Sequence, residues 1–457
     1  MHSRFSLLFK ILTLTGLILV MMIPMAMIMG VIQERSYYQN EVIDSVSQSS
    51  SYSQKIIGPI IVIPYTLTTL EYRDKQKFYT QNKYLRYVLP QKLEVDANAD
   101  ISARHIGIYQ AQVYQAQLKF TGSFDPVELD TLQNNENIEI EKPYLIVMIS
   151  DTRGIMQVPL MTLNGKNIEF EPGVNQSDIY NAQGINAPMS LEEVTGKKLD
   201  FNFSLLLQGT KDLSIVPLGR SSQYHLKGNW PHPNFIGYTL PSQRLIDEKG
   251  FDATWQSSWY ANNINSLFAK DVNISRNASS YSDYPAFKTS FVETVDEYQM
   301  TERAVKYAIL FIVLTFICFF IFEMLKQLKI HPVQYLLVGM ALTIFYLLLL
   351  ALSEHIGFLL AYVMGAFACS GLIGFYLSAV LKGIKWGSIF TSFLLLLYMI
   401  LYFVMISEGN ALLLGSILLF VVLGGIMILT RHIDWYKVAQ ISHNKNTQKI
   451  KKPEENH

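Results

Sequence analysis

Six stretches of the chain each run for about 19 to 24 largely apolar residues, enough to cross a hydrocarbon core of about 30 Å at 1.5 Å per residue. They are Ile11–Ile32, Ala304–Phe322, Val333–Ser353, Gly357–Val380, Gly387–Ile406 and Ala411–Leu429. Their placement constrains the fold more than any other feature. One lies near the start and five follow each other near the end, with the polar segment Gln33–Arg303, about 270 residues, between them. This pattern predicts an α-helical membrane protein of six spans, with a large domain inserted between spans 1 and 2.

Charge sets the expected orientation. The net charge of zero conceals a segregation: Gln33–Arg303 holds 24 basic and 31 acidic side chains, a net of −7, and the remainder holds 13 and 6, a net of +7. Arg4 and Lys10 precede the first span, Lys326 and Lys329 follow the second, and Lys382 and Lys385 separate the fourth and fifth. Arg431, Lys437, Lys445, Lys449, Lys451 and Lys452 follow the sixth, whereas the connections SEHIG and SEGN on the other face carry no Lys or Arg. By the positive-inside rule, residues 1–10 and the basic tail 431–457 are expected in the cytoplasm and residues 33–303 outside it. Arg303 and Lys306, at the outer end of the second span, can snorkel to headgroups. The first segment is longer than a usual signal-peptide core and no A-x-A site follows it, so a retained signal anchor is expected rather than a cleaved leader.

The inserted domain reads as a β-rich, mainly antiparallel and layered structure. Leu199, Phe201, Phe203, Leu205 and Leu207 recur at every second position, as do Leu93, Val95, Ala97, Ala99 and Ile101. Phe251, Ala253, Trp255 and Trp259 are expected on one face, and YLIVMI from Tyr144 reads as a buried strand. Asn164-Gly165 carries the tight-hairpin signal. Pro59 and Pro64, which donate no ladder hydrogen bond, point to an edge strand or an irregular entry. Residues 37–54 are expected to continue the first helix or to form a stalk. Cys318 and Cys369 both fall in predicted spans, so the domain must hold together without a disulfide.

In the fourth span Ala366, Ser370, Gly374 and Ser378 form a ridge of small side chains, with Ala361, Gly365 and Cys369 alongside. Such files let helices approach closely in lipid; helix packing is the expectation, a ligand pocket the alternative. Pro332 suits the first turn of the third span. The spans hold almost no ionisable groups, which weighs against an ion-coupled transporter. Glu323 is expected to pair with Lys326 at the cytoplasmic end.

Motifs for nucleotide binding, metalloprotease or serine hydrolase chemistry are absent, and no cofactor is implied. The histidines of the domain are His105, His225 and His232, without a zinc-ligand spacing and so without a predicted metal site. Three polar constellations remain. Arg104, in RHIGIYQAQVY, is available to a carboxylate or an anion. In SDTRG, Asp151 can bond backbone N–H groups and Gly154 can take positive φ, making a turn lock, with Arg153 completing a polar site as the alternative. In GNWPHPNF, Trp230 and His232 each precede a proline, so the run is stiff and presents Trp230 and Phe235 for packing or recognition. At the membrane junction Asp296, Thr301, Arg303 and Lys306 are candidates for coupling the domain to the helices, with Thr301 as N-cap and Glu302 in the first turn.

These stretches resemble the CreD family of inner-membrane proteins. The resemblance is carried by YVLPQKLEVDANADISARHIGIYQAQVYQAQLKFTGSF, SDTRG, VPLGR with Arg220, NWPHPNFIGYTLPSQR, GFDATW and VDEYQMTERAVKYAILFIVLTFICFFIFE. It implies a multi-pass inner-membrane protein with a periplasmic domain, linked to envelope integrity, colicin tolerance and an envelope-stress response, and it brings no catalytic residues. The function expected is non-enzymatic binding of an envelope component. The alternatives are a transporter or lipid-handling protein and a hydrolase using Asp151, Arg153 or His232. Expected partners are membrane lipids, a periplasmic or envelope ligand and other envelope proteins, but no nucleic acid.

Overall fold

The computed structural model describes residues 2–73, 76–175, 182–268, 271–273, 284–291, 297–326, 330–381, 383–407 and 411–431. The chain folds into two compact units: a helical one of Met1–Tyr38 with Val295–His457, and a β-rich one of Gln39–Thr294.

The helical unit contains α1 (His2–Ser49, continuing past the unit boundary), α2 (Glu297–Lys326), α3 (Pro332–Ile356), α4 (Phe358–Val380), α5 (Ile384–Ile406) and α6 (Ala411–Thr430). The first five are long and apolar enough to cross a membrane; α6, the sixth expected span, has a described apolar stretch of Leu413–Gly425. Of the two readings of residues 37–54, helix prevails as far as Ser49. Pro332 is the first residue of α3, where its missing N–H costs nothing, and His331 accepts from the Val333 N–H at 3.3 Å as N-cap.

The small residues of α4 form two files with separate uses. A Cβ on Gly374 would overlap the Thr391 hydroxyl of α5, and one on Gly387 would lie 2.7 Å from the Gly374 carbonyl and 2.8 Å from Ser378 Cβ. Ala366 and Ser370 are buried in the same ridge. The other file faces α3: the Cys369 thiol lies 3.3 Å from the Ala341 carbonyl, and a Cβ on Gly365 would lie 3.2 Å from the Phe345 ring. Close approach of helix backbones is how small residues stabilise packing in lipid.

In chain order the first strands are β1 Gln54–Arg73, β2 Gln76–Val88, β3 Lys92–Ile106, β4 Tyr109–Phe124, β5 Ile138–Ile140 and β6 Tyr144–Ile149. Then come β7 Leu160–Leu163, β8 Lys166–Glu169, β9 Glu171–Pro172, β10 Gly184–Pro188, β11 Leu199–Thr210 and β12 Asp212–Ile215. The last are β13 Ser221–Gly228, β14 Asn234–Gly237, β15 Gln243–Asp247, β16 Gly250–Ser258, β17 Asp271–Asn273 and β18 Phe287–Ser290. One sheet runs β14-β18-β12-β1-β6-β10-β9, with β2 and β5 also on β1 and β17 on β2. The other runs β15-β16-β13-β3-β4-β11-β7-β8. Among the described strand pairs only β1–β12 and β3–β13 are parallel.

Both sheets contribute to one core, and the alternation in the sequence decides which side chains enter it. Leu199, Phe201, Phe203, Leu205 and Leu207 are buried from β11; Leu93, Val95, Ala97, Ala99 and Ile101 from β3; all six residues from β6. The Phe120 and Phe203 rings stack at 4.6 Å, and Tyr224 stacks on Trp255 at 5.0 Å. Asn164 and Gly165 turn the β7–β8 hairpin with φ of 46° and 83°, as their sequence requires.

Two strand expectations are corrected. The strand with Pro59 and Pro64 is not an edge: β1 lies inside its sheet. It accommodates Pro59 by irregularity, because the register with β6 shifts between Ile57 and Ile60. Pro64 accepts from the Glu141 N–H at 2.9 Å, so its donorless side faces the segment between β5 and β6, where no ladder bond is needed. Trp259 does not extend the face of Trp255, since β16 ends at Ser258 and Trp259 opens a helical turn. Its indole donates instead to the Leu218 carbonyl at 2.8 Å.

Candidate functional site

SDTRG lies where the strands of the β-rich unit receive the last turn of α1. Asp151 caps a 3-10 turn, Thr152–Gly154. Its carboxylate accepts from the Arg153 backbone N–H at 3.2 Å, from Arg153 Nε at 2.9 Å and Nη2 at 2.6 Å, and from the Tyr52 N–H at 3.0 Å. Burial alone would raise the Asp151 pKa, but Arg153 and the two backbone donors outweigh it and hold it below the ordinary carboxylate value. The Arg153 guanidinium stands 5.4 Å from the Tyr52 ring centre, and its Nη1 donates to the Gln48 carbonyl at 2.7 Å. Gln48 belongs to the final turn of α1, whose carbonyls lack intrahelical donors and carry the negative end of the helix dipole. Arg153 satisfies both needs.

Beneath this pair the fully buried Gln54 knits three segments. Its Nε2 donates to the Asp151 carbonyl at 2.9 Å, the Gln208 carbonyl at 3.1 Å and Ser51 Oγ at 2.8 Å. Thr210 donates to the Ser51 carbonyl at 3.0 Å and lies 2.8 Å from the Ser47 hydroxyl of α1. Val46 of α1 packs with Ala111 and Val113 of β4. Gly154 does not take positive φ, which corrects the reason expected for it. A Cβ there would run into the Gln208 carbonyl and lie 2.5 Å from Gln54 Nε2 and 2.9 Å from Ser51 Oγ. The donors around Asp151 come from its own chain, so the arrangement is a lock holding the end of α1. Sequence reading found Asp151, Arg153 and the turn. It missed Gln54, Ser47 and Thr210, whose links to the strands lie between 97 and 163 residues away and leave no local signal.

The remaining candidates are separate. Arg104 is exposed near the tip of the β3–β4 hairpin, and Arg220 is exposed at the start of β13, its carbonyl accepting from the Trp259 N–H at 3.3 Å. GNWPHPNF is the crossover between the sheets, leaving β13 of one and entering β14 of the other. Trp230 packs against the core with its indole donating to the His232 carbonyl at 3.1 Å, Phe235 is buried, and His232 is exposed. Asn229, which sequence reading passed over, ties this loop to β3 by accepting from the Ile101 N–H at 2.7 Å and donating to Asp100 at 2.6 Å.

In the helical unit Thr301 is not an N-cap. Helix α2 begins at Glu297, and the Thr301 hydroxyl bonds back to the Glu297 carbonyl at 2.7 Å; Glu297 is the first-turn acid. Lys306 pairs with Glu302 one turn away at 2.8 Å, and Arg303 is half-buried. Asp296 lies outside the described residues. Glu323 is buried and pairs with Lys10 of α1, accepting also from Tyr335 at 2.9 Å and the Ile330 N–H at 3.0 Å, while the side chain of Lys326, its expected partner, lies outside the described residues. Just past the apolar stretch of α1, Arg35 approaches Glu354 of α3 at 3.7 Å, and Glu354 accepts from Tyr298 at 3.1 Å. Thus α2 supplies a Glu at one end and a Tyr at the other, α3 the converse, and α1 a cation to each.

The family described as Inner membrane protein CreD matches residues 6–436. This chain belongs to the CreD family. Inner membrane protein CreD of Escherichia coli (strain K12) is 43% identical to it over 428 residues, covering 93% of each chain. With its apolar helices, this CreD-family chain is a multi-pass protein of the inner membrane. Among solved structures, an M1 zinc metallopeptidase from Deinococcus radiodurans aligns with 44% of this chain and 42% of its own at 7% identity and a TM-score of 0.20. That likeness is too slight to carry an argument about fold or chemistry.

Proposed function

We propose that this CreD-family protein is a non-enzymatic envelope protein, with both termini cytoplasmic and the β-rich unit in the periplasm, where it binds an envelope component. The binding state is passed to the membrane helices through α1. The observation that carries the reading is the lock at the end of α1: Ser47, Gln48 and Val46 are built into the β-rich unit by Thr210, Arg153 and β4. The same helix is held by Lys10 and Arg35 to Glu323 and Glu354 in the helical unit. A simple tether would not need a buried polar network at its end. The lipid-handling alternative is weakened because both small-residue files of α4 are filled by neighbouring helices.

The test uses the full-length protein in native-lipid discs. Molecules retained from an envelope extract are identified by mass spectrometry, and hydrogen exchange is followed over residues 39–54 with and without that extract. Retention of one envelope molecule, unchanged in structure, with altered exchange in the last turns of α1 supports the proposal. Chemical turnover of the retained molecule would refute its non-enzymatic part, and binding without any change in α1 would refute the coupling.

A further inference from the structure

His225 lies on β13, the strand at which the second sheet changes direction: it pairs in parallel with β3 and antiparallel with β16. The β3–β13 seam joins the later strands β13, β16 and β15 to β3, β4, β11, β7 and β8. Parallel ladders are slanted and slightly weaker per residue than antiparallel ones, so side-chain links across this seam matter more than elsewhere in the sheet. One is the Asn229 link to Asp100 and Ile101. The other is at His225, whose Nδ1 lies 2.7 Å from Asp96 Oδ1 on β3 and whose Nε2 lies 2.9 Å from Asp252 Oδ1 on β16.

A carboxylate on each ring nitrogen determines the protonation state. An ionised carboxylate only accepts, so both nitrogens must donate and the ring must be an imidazolium. A neutral ring has one N–H and one lone pair, and the lone pair would face a carboxylate oxygen. The charges around the ring favour the cation. Strand β3 brings Glu94 and Asp96, and β16 brings Asp252. Against these stand Lys119 of β4 and, on β13 itself, Lys227, which is 3.2 Å from Asp252. A cleft of about 220 Å³ lined by Glu94, Asp96, Lys119, Thr121, Gln223 and His225 lets water reach the ring.

We propose that His225 is a proton-operated staple across the β3–β13 seam. Charged, it holds Asp96 and Asp252 together; on giving its proton to water it releases one of them and loosens the junction between the two parts of the sheet. Burial pulls the His225 pKa down, but the two aspartates outweigh it and leave it above the ordinary histidine value. A group whose pKa is raised on folding stabilises fully below its unfolded value, about 6.5, and loses that contribution as the pH rises through the folded value. The staple is therefore closed in mild acid and opens toward alkaline pH, whatever the unit binds.

The test is hydrogen exchange of the full-length protein in detergent at about pH 6 and about pH 8.5, with intrinsic rates divided out. Lys92–Ala99 and Ser221–Gly228, the paired seam residues, are expected to exchange roughly two- to fivefold faster at the higher pH, the range set by exposed ion pairs. The β4–β11 ladder is expected to show no change. His225→Gln has no side chain that titrates between these pH values and is expected to abolish the difference. Asp252→Asn, which leaves a single ionised partner, is expected to lower the midpoint of the transition. An unchanged pH difference in His225→Gln, or a wild-type seam that exchanges equally at both pH values, overturns the proposal. Should His225→Gln fail to fold, an unmoved midpoint in Asp252→Asn overturns it instead.

Discussion

Replacing Gly154 tests the lock at the end of α1 most directly, because two explanations of this glycine give different numbers. If it served only a left-handed backbone, alanine would cost about 1 kcal/mol and asparagine, which tolerates positive φ, less. The structure gives Gly154 no positive φ, so the cost is one of space. Any Cβ meets the Gln208 carbonyl, Gln54 Nε2 at 2.5 Å and Ser51 Oγ at 2.9 Å. Pushing Gln54 away breaks its bonds to the Asp151 and Gln208 carbonyls, each worth about 1 kcal/mol net. Overpacking adds about 1–3 kcal/mol, so Gly154→Ala is expected to lose roughly 3–5 kcal/mol and Gly154→Asn at least as much. For a unit of this size that lowers the unfolding midpoint by on the order of 6–20 °C. Tryptophan fluorescence of the purified protein can follow this, since Trp230, Trp255 and Trp259 all lie in the β-rich unit. An asparagine variant clearly more stable than the alanine variant would refute the packing argument.

Other outcomes follow from the same contacts. The Asp151 pKa is depressed on folding, so its stabilisation is present above the unfolded value and lost as the pH falls through the folded one; Asp151→Asn should flatten the acid limb of the stability profile of the β-rich unit. Gly374→Ala should weaken the α4–α5 contact by about 1–3 kcal/mol in detergent unfolding, and adding Thr391→Ala, which removes the overlapping hydroxyl, should recover most of it. Simple additivity of the two changes would exclude that contact. Lys10→Met leaves Glu323 buried without its cation and should cost about 3 kcal/mol or more, whereas Lys10→Met with Glu323→Leu should cost clearly less. Equal losses in the two would show that the ion pair is not formed.

The sequence by itself determined which segments enter lipid, which side chains of the long strands face the core, and where the tight hairpin turns. Each depends on a local rule: about 20 apolar residues span a bilayer, alternate strand residues share a face, and Asn-Gly accepts positive φ. The candidate site was legible only in its local half. Asp151 and Arg153 stand two residues apart and form their pair within one turn, while Gln54, Ser47 and Thr210 reach it only because β1, α1 and β11 converge there. The Lys10 partner of Glu323 was likewise illegible, because it stands on a helix more than 300 residues earlier. Pro59 and Pro64 argued for an edge or an irregular entry, and tertiary structure placed their strand inside a sheet by letting the register slip at Pro59 and setting Pro64 opposite Glu141, between β5 and β6. Periodicity fixes the direction a side chain points. Its partner is chosen by which strands and helices meet, and that depends on the packing of the whole unit.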